Sequence, residues 1–202
     1  MDAFITGVVA GYGIAIPVGA IAILIVEIGL RRGFQPAFSA GAGAATADFL
    51  YAGLAVLGGT TLASAVESIG SSLRIVSALV LVVIALLGLA RTRRPVEPAP
   101  ADPPTGDLGR TYARILGLTL INPTTVVYFA ALVIGLGVAE GMSAGDGALF
   151  VTGAFLASLS WQTVLATVGA MAGRRLPAGA QTLLSVLGNL LILAFAVVIL
   201  LS

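Results

Sequence analysis

Long apolar stretches alternate with short polar segments along the chain. A helix needs about 20 mostly apolar residues to cross the hydrocarbon core of a bilayer. The stretches that approach or exceed this length are residues 3–30, 36–62, 73–90, 115–138, 148–171 and 183–201. The pattern predicts an all-α integral membrane protein with six transmembrane helices. No basic residue precedes the first stretch, so we interpret it as a permanent span and not as a cleaved signal peptide.

The amino-acid composition supports this interpretation. Of the 202 residues, 58% belong to the hydrophobic set and 9% are charged, and the mean hydropathy is +1.09. Soluble domains carry about 25% charged residues, and a soluble fold of this length has too little interior to bury so much apolar surface. The lipid bilayer is therefore the expected surroundings of the folded chain.

Few reactive side chains are present. The chain has no Cys and no His, and all ten basic residues are Arg. This composition excludes the usual zinc and haem ligands, catalysis by Cys or His, and Schiff bases on Lys. Residues 141–145 match the Gly-x-Ser-x-Gly pattern of serine hydrolases, but we discount the match because His and a preceding strand are lacking. We expect no enzymatic activity, no cofactor, no resident metal and no nucleic-acid partner.

The arginines predict the orientation of the spans. With six spans, nine of the ten arginines fall on one side, and only Arg74 falls on the other, with Asp2, Glu67, Glu140 and Asp146. Basic residues accumulate in cytoplasmic loops, so both termini are predicted to lie outside. Abundant Ala, Gly and Arg without Lys are typical of a GC-rich bacterial genome. The predicted location is therefore the bacterial cytoplasmic (inner) membrane, which the chain crosses several times.

A proline-rich segment divides the chain into two similar halves. Five of the nine prolines lie between residues 91 and 110, a composition that favours an extended, solvated linker. We predict a first three-span repeat over residues 1–90, a cytoplasmic Pro/Arg-rich linker over 91–111 and a second three-span repeat over 112–202. Because three is odd, the second repeat enters the membrane inverted, as in many secondary transporters.

The leading span of each half contains a helix-breaking proline. Pro17 follows Gly11 and Gly13 in the first span, and Asn122 and Pro123 interrupt the fourth. Asn is a good N-cap and Pro is favoured at the first helical position. A helix that restarts there would present its amide groups to a substrate carboxylate. Alternatively, this pair begins a short span after an amphipathic interfacial stretch.

Two acidic residues lie within apolar stretches. Glu27 precedes Arg31 by four residues, which predicts a helical ion pair. Asp48 lies inside the second span without a basic neighbour in the sequence, and a mid-membrane carboxylate costs on the order of 3 kcal/mol. Asp48 must therefore face protein or a wet cavity, where it can exchange a proton for a substrate ammonium. The alternative is a structural acid satisfied by Thr46, Tyr51 or hydroxyls of another helix.

The candidate site residues follow from these features. The predicted substrate-binding residues are Asp48, Asn122, Pro123, Pro17, Tyr12 and Tyr51. The predicted proton-coupling residues are Asp48 and Glu27. The second half offers polar side chains at a comparable depth, namely Ser158, Trp161, Gln162 and Asn189. Such side chains can line a cavity, although hydrogen bonding between helices is their commoner role.

Four segments carry a family resemblance. They are AIPVGAIAILIVEIGLRRG in the first span, GAGAATADFLYAGLAVLG in the second, the Arg-rich central loop, and LTLINPTTVVYFAAL in the fourth span. Over essentially its whole length the chain resembles the LysE/RhtB amino-acid exporters. The resemblance implies that Pro17 is the first-span break, Asp48 the second-span acid, and Asn122 with Pro123 the fourth-span motif. Its most specific parts are ATAD at residues 45–48 and the Asn-Pro pair.

Two departures from the family pattern bear on the substrate and the coupling ion. Many members carry Pro-Gly-Pro where this chain has residues 16–19 as Ile-Pro-Val-Gly, and many carry Lys where this chain has Thr124. The second departure removes a cation from beside the expected anion site.

The resemblance implies secondary active export of amino acids or related small molecules from the cytoplasm, by proton antiport with alternating access. The expected partners are an amino-acid substrate, the proton and the lipid bilayer, and the sequence leaves a homo-oligomer open. A divalent metal exporter of the wider superfamily is an alternative, with oxygen ligands from Asp48, Glu27, Asn122 and Asn189. A non-transporting structural subunit and a membrane-embedded enzyme also stay open.

Overall fold

The computed structural model describes residues 2–16, 19–92, 105–122, 125 and 142–201. Its helices are α1 (Ala3–Ala15), α2 (Ala20–Arg32), α3 (Phe34–Thr92), α4 (Thr105–Leu120), α5 (Ala144–Arg175) and α6 (Ala178–Leu201). No β-strand occurs in these ranges, as the predicted all-α fold class requires.

Helices α1 and α2 pack one after the other along α5. Gly11 of α1 lies against the backbone of Ala154, and Gly29 of α2 lies against Gly169. Residue numbers increase in the same direction on both sides of this contact. Helix α5 therefore runs in the same direction as α1 and α2. The two helices meet at an angle of 77°. The interruption predicted in the first span is therefore present between α1 and α2, while Pro17 itself lies outside the described residues.

The first part of α3 runs parallel to α4. The Ser39 hydroxyl donates a hydrogen bond to the carbonyl oxygen of Leu108 at 2.6 Å. Three turns further on, the Tyr51 hydroxyl donates to the carbonyl oxygen of Leu120. Alanine makes this approach possible, because its small side chain lets helices come close together. The buried alanines of this part are Ala37, Ala40, Ala44, Ala45, Ala47, Ala52 and Ala55.

The last part of α3 runs in the opposite direction. Ile84 lines one cavity with Ile115 of α4, whereas Leu81 lines another with Leu118. The two apolar ends of α3 thus pack against the same helix in opposite senses. The chain therefore reverses direction between Leu57 and Ala78, as expected if residues 36–62 and 73–90 are separate spans.

Two described helices are long and apolar enough to cross a membrane, Phe34–Leu57 and Ala144–Arg175. A third is added if the bent pair Ala3–Ala15 and Ala20–Arg32 counts as one span. Shorter apolar helices cover Ala78–Ala90 and Gly179–Ala194. Most of the predicted span over residues 115–138 lies outside the described residues. An all-helical membrane protein is therefore supported, while six spans and inverted repeats stay predictions.

Helix α4 begins inside the segment predicted to be a linker. The predicted linker covers residues 91–111, but the chain is helical from Thr105. Thr111, Ile115 and Thr119 are buried at helical spacing, whereas Arg110 and Arg114 are exposed. This one-sided pattern explains the helix, because its apolar and hydroxyl face is buried against α3 while its arginines reach outward.

Arginines gather at one end of the bundle, where α2 and α5 finish and α4 begins; we call it the arginine end. Arg32 and Arg114 line one cavity there. The last turn of α5, which ends at Arg175, packs through Gly173 against Leu30. The starts of α1 and α5 lie at the opposite end. The arginines of α2, α4 and α5 thus lie at one end of the bundle, in agreement with that part of the predicted one-sided charge.

Candidate functional site

Asp48 is a buried acid at the contact between α3 and α5. It is 5% exposed, and Ser158 of α5 is fully buried. The Ser158 hydroxyl donates a hydrogen bond to the Asp48 carboxylate oxygen Oδ2 at 2.6 Å. Asp48 belongs to the first half of the chain and Ser158 to the second, so the bond joins the two halves inside the apolar bundle.

Gln162 extends this polar contact by one turn of α5. It is buried, and the α3 backbone approaches it so closely at Gly41 that a Cβ there would lie 2.8 Å from the Gln162 Cβ. Its amide oxygen Oε1 has no hydrogen-bond partner among the described residues. A buried acceptor without a donor is costly. The face that carries Ser158 and Gln162 is therefore ready to receive a donor from a bound molecule or water.

Tyr51 connects the acid's helix to the end of α4. Its hydroxyl bonds the carbonyl oxygen of Leu120, the last residue of α4. The chain then turns, because the backbone N–H of Asn122 donates to the carbonyl oxygen of Thr119 at 3.2 Å. The helix thus ends just before Asn122, where the sequence predicts an interruption. Pro123 lies outside the described residues.

The two interruptions lie close to each other. Asn122, after α4, and Ile21, in the first turn of α2, line the same small cavity. On the α1 side of the first interruption, the Tyr12 hydroxyl is hydrogen-bonded to that of Ser160 at 2.8 Å. Ser160 follows Ser158 by two residues on α5. The broken ends of both leading helices therefore lie near the level of the buried acid.

Glu27 lies in a different polar cluster, at the arginine end. It accepts hydrogen bonds from Arg31 Nε at 3.2 Å and from Asn189 Nδ2 at 2.9 Å. The predicted ion pair with Arg31 is confirmed. Glu27 lies level with Gly169 of α5, eleven residues beyond Ser158. At 1.5 Å per residue this places it about 16 Å along α5 from Asp48.

The structure thus divides the predicted site residues into two groups. The first group consists of Asp48 and Tyr51, together with Tyr12 near the end of α1 and Asn122 just after α4. Glu27 forms the second group, at the arginine end. Ser158 is the direct partner of Asp48, and the sequence indicates it only as one of several polar side chains at a comparable depth. Among the described residues, no group of three or more His, Cys, Asp or Glu side chains could hold a metal ion.

A buried acid that joins two parts of a helical membrane bundle, beside interrupted helices, is typical of a transport protein. The LysE type translocator family model matches residues 13–202 of this chain. The chain therefore belongs to the LysE type translocator family, and it is a membrane translocator. No protein among the curated sequences and no solved structure matches the chain.

Proposed function

We propose that this translocator exports amino acids from the cytoplasm in exchange for protons, with Asp48 as the group that carries the proton. The observation that carries the proposal is the Asp48–Ser158 hydrogen bond, buried between α3 and α5. The arginines of α2, α4 and α5 belong to the arginine end, away from this contact. A carboxyl in this position has the properties that proton exchange requires.

The physical reason is the cost of an unpaired charge inside the bundle. An ionised carboxylate at mid-membrane costs on the order of 3 kcal/mol on the insertion scale. Asp48 can avoid that cost in two ways, by binding a proton or by pairing with the ammonium group of a substrate. Since one carboxyl cannot do both at once, each occupant displaces the other. Exchange of one for the other is the chemical basis of antiport.

The substrate carboxylate needs a separate group of donors. We assign it to the interruption at Asn122, where α4 ends beside the start of α2. Backbone N–H groups at a helix start attract anions, and α2 begins there, at Ala20. Tyr51 lies one turn from Asp48, and the Tyr12 hydroxyl is hydrogen-bonded to that of Ser160. We place both tyrosines beside the part of the substrate that lies between its two charged groups.

Alternating access would move α5 relative to α3. Asp48 and Ser158 lie on these two helices, so a change in the occupant of Asp48 alters the contact that holds them together. Helix α5 packs on α1 and α2 through glycines. Because glycine has no side chain, the helix backbones approach each other closely. We therefore propose that α1, α2 and α5 move together against α3.

The test is efflux from proteoliposomes preloaded with a labelled amino-acid mixture, with and without an imposed pH gradient. Wild-type protein should release one class of amino acid faster when the gradient is imposed. Asp48→Asn should abolish this acceleration, because the amide cannot release a proton. Asp146→Asn is the matched control, since Asp146 is exposed in the first turn of α5, and it should retain the acceleration.

Three results would contradict the proposal in whole or in part. Normal gradient-dependent efflux by Asp48→Asn would remove Asp48 from the coupling. Absence of efflux of any amino acid from wild-type vesicles would overturn the substrate class, and divalent cations would then be tested in the same vesicles. Efflux that ignores the gradient would leave transport in place without proton coupling.

A further inference from the structure

A polar cavity lies at the arginine end, between α2, the last part of α3, α4 and α6. Its volume is about 120 Å³. Its polar lining residues are Glu27, Arg31, Arg32, Thr111, Arg114 and Asn189. The remaining wall is mostly aliphatic, with Leu24, Ile28 and Ile84 among its residues. We call this cavity the arginine-end pocket.

The pocket contains a hydrogen-bond donor without an acceptor. Arg31 uses Nε to donate to Glu27, and its side chain is 20% exposed. Its terminal nitrogen Nη2 is buried and has no partner among the described residues. Guanidinium groups bind carboxylates through paired N–H donors. An anionic acceptor reaches this nitrogen once the Arg31 side chain shifts toward the cavity, and the exposed Arg114 in the lining adds a second positive charge.

The pocket also contains an acceptor without a donor. Asn189 is fully buried, and its Nδ2 donates to Glu27 and to the carbonyl oxygen of Ser185. Its Oδ1 faces Gly88, where an added Cβ would collide with it, and this oxygen has no partner in the described part of the chain. An amide oxygen only accepts hydrogen bonds, so this atom gains a donor only when the Asn189 side chain turns toward the cavity.

One small molecule can satisfy both atoms when the two side chains turn toward the cavity. A carboxylate accepts from the Arg31 nitrogen, and an ammonium donates to Asn189 Oδ1 beside the negative charge of Glu27. Water could supply one hydrogen bond to each atom, but it does not neutralise the excess of arginines over acids. A cavity of about 150 Å³ holds benzene, so the space suits a ligand of about six non-hydrogen atoms. Alanine is such a molecule.

We propose that the arginine-end pocket binds a small zwitterionic amino acid, with Arg31 and Arg114 on its carboxylate and Glu27 and Asn189 on its ammonium. The choice of an amino acid rests on the proposed function. Under the predicted orientation the arginine end faces the cytoplasm. The pocket is then a first binding site for substrate, about 16 Å along the bundle from Asp48.

The test is equilibrium binding of labelled L-alanine to the purified full-length protein without any gradient. Ethylamine and propionate are the competitors, because each keeps only one of the two charged groups. Each should compete at least about tenfold less well than unlabelled alanine, since each leaves one buried atom without its partner. Arg114→Gln should weaken alanine binding about tenfold without affecting ethylamine. Glu27→Gln should weaken alanine binding while leaving propionate unaffected or improved.

The matched control is Arg110→Gln. Arg110 is an exposed arginine one turn earlier on α4, and it is not among the residues that line the pocket. This variant should bind alanine as the wild type does. Equal losses in Arg110→Gln and Arg114→Gln would indicate a general charge effect and would overturn the proposal.

The same measurements in an Asp48→Asn background separate this site from the transport site. Alanine binding that persists there, and is still weakened by Arg114→Gln and Glu27→Gln, supports a second site. Loss of all alanine binding in Asp48→Asn would overturn the second site and leave the proposed function intact. If wild-type protein exports amino acids but binds no alanine in the pocket, the second site is likewise overturned and the proposed function stands. Failure of both export and binding would instead count against the proposed function.

Discussion

At the scale of residues, the contacts that the sequence could predict are the local ones. Glu27 and Arg31 are four residues apart, so helical geometry alone brings them together. Asp48 and Ser158 are 110 residues apart, and their contact depends on how α3 and α5 are rotated about their axes. Hydropathy identifies a span, but it does not determine this rotation. The sequence could therefore indicate Asp48 as the unusual group without identifying its partner.

The hydrogen bond across this contact gives a prediction. Ser158→Ala removes the donor to the Asp48 carboxyl and should lower the free energy of unfolding by about 1–2 kcal/mol, because a buried polar group loses its partner. If Asp48 is the coupling group, the same change should also reduce the acceleration of efflux by a pH gradient. Both quantities are measured on the same preparation, by unfolding in mixed micelles and by vesicle efflux.

Thr167→Val is the matched control for the loss of a hydroxyl. Thr167 is exposed on the same helix, and its hydroxyl bonds the carbonyl oxygen of Thr163 within α5. We expect it to leave both stability and gradient dependence near the wild-type values. A loss of stability in Ser158→Ala with unchanged gradient dependence would assign Ser158 a purely structural role.

At the scale of elements, small residues decide which helices meet. The sequence shows many Gly and Ala positions, but it does not show which of them face a neighbour. In α1, Gly11 is buried against α5, whereas Gly13 is exposed with no atom near its missing side chain. The extent of α4 was equally hard to predict, since the prolines before it favour a linker while the helix already begins at Thr105.

This difference within α1 can be tested with two identical substitutions. In Gly11→Ala the new Cβ would lie 2.8 Å from the Cα of Ala154 and 2.9 Å from the Cβ of Ala157. Such overpacking of backbone against backbone should destabilise the fold by about 1–3 kcal/mol. Gly13→Ala meets open space and should be neutral or slightly stabilising, since Ala is the better helix former. Thermal unfolding of both variants in detergent is the measurement, and equal effects would contradict the α1–α5 contact.

At the scale of the whole molecule, charge and packing agree on two distinct ends. The helix contacts place the arginines of α2, α4 and α5 at one end and the starts of α1 and α5 at the other. The positive-inside rule then predicts that the arginine end lies in the cytoplasm. Asp48 is buried between the two ends, and the proton gradient, not the orientation, determines the direction of the proposed antiport. A substrate that enters at the arginine end leaves where α1 begins.

The absence of cysteine allows this orientation to be measured directly. Ala144→Cys and Gly109→Cys each place one thiol at an exposed small residue, the first at the start of α5 and the second on α4 at the arginine end. In intact cells, a membrane-impermeant thiol reagent should label the first variant and not the second, and permeabilised cells should label both. The opposite pattern would show that the predicted orientation is reversed, with the arginine-end pocket facing the exterior. Because the bundle contacts are the same in either orientation, that result would leave the proposed role of Asp48 unchanged.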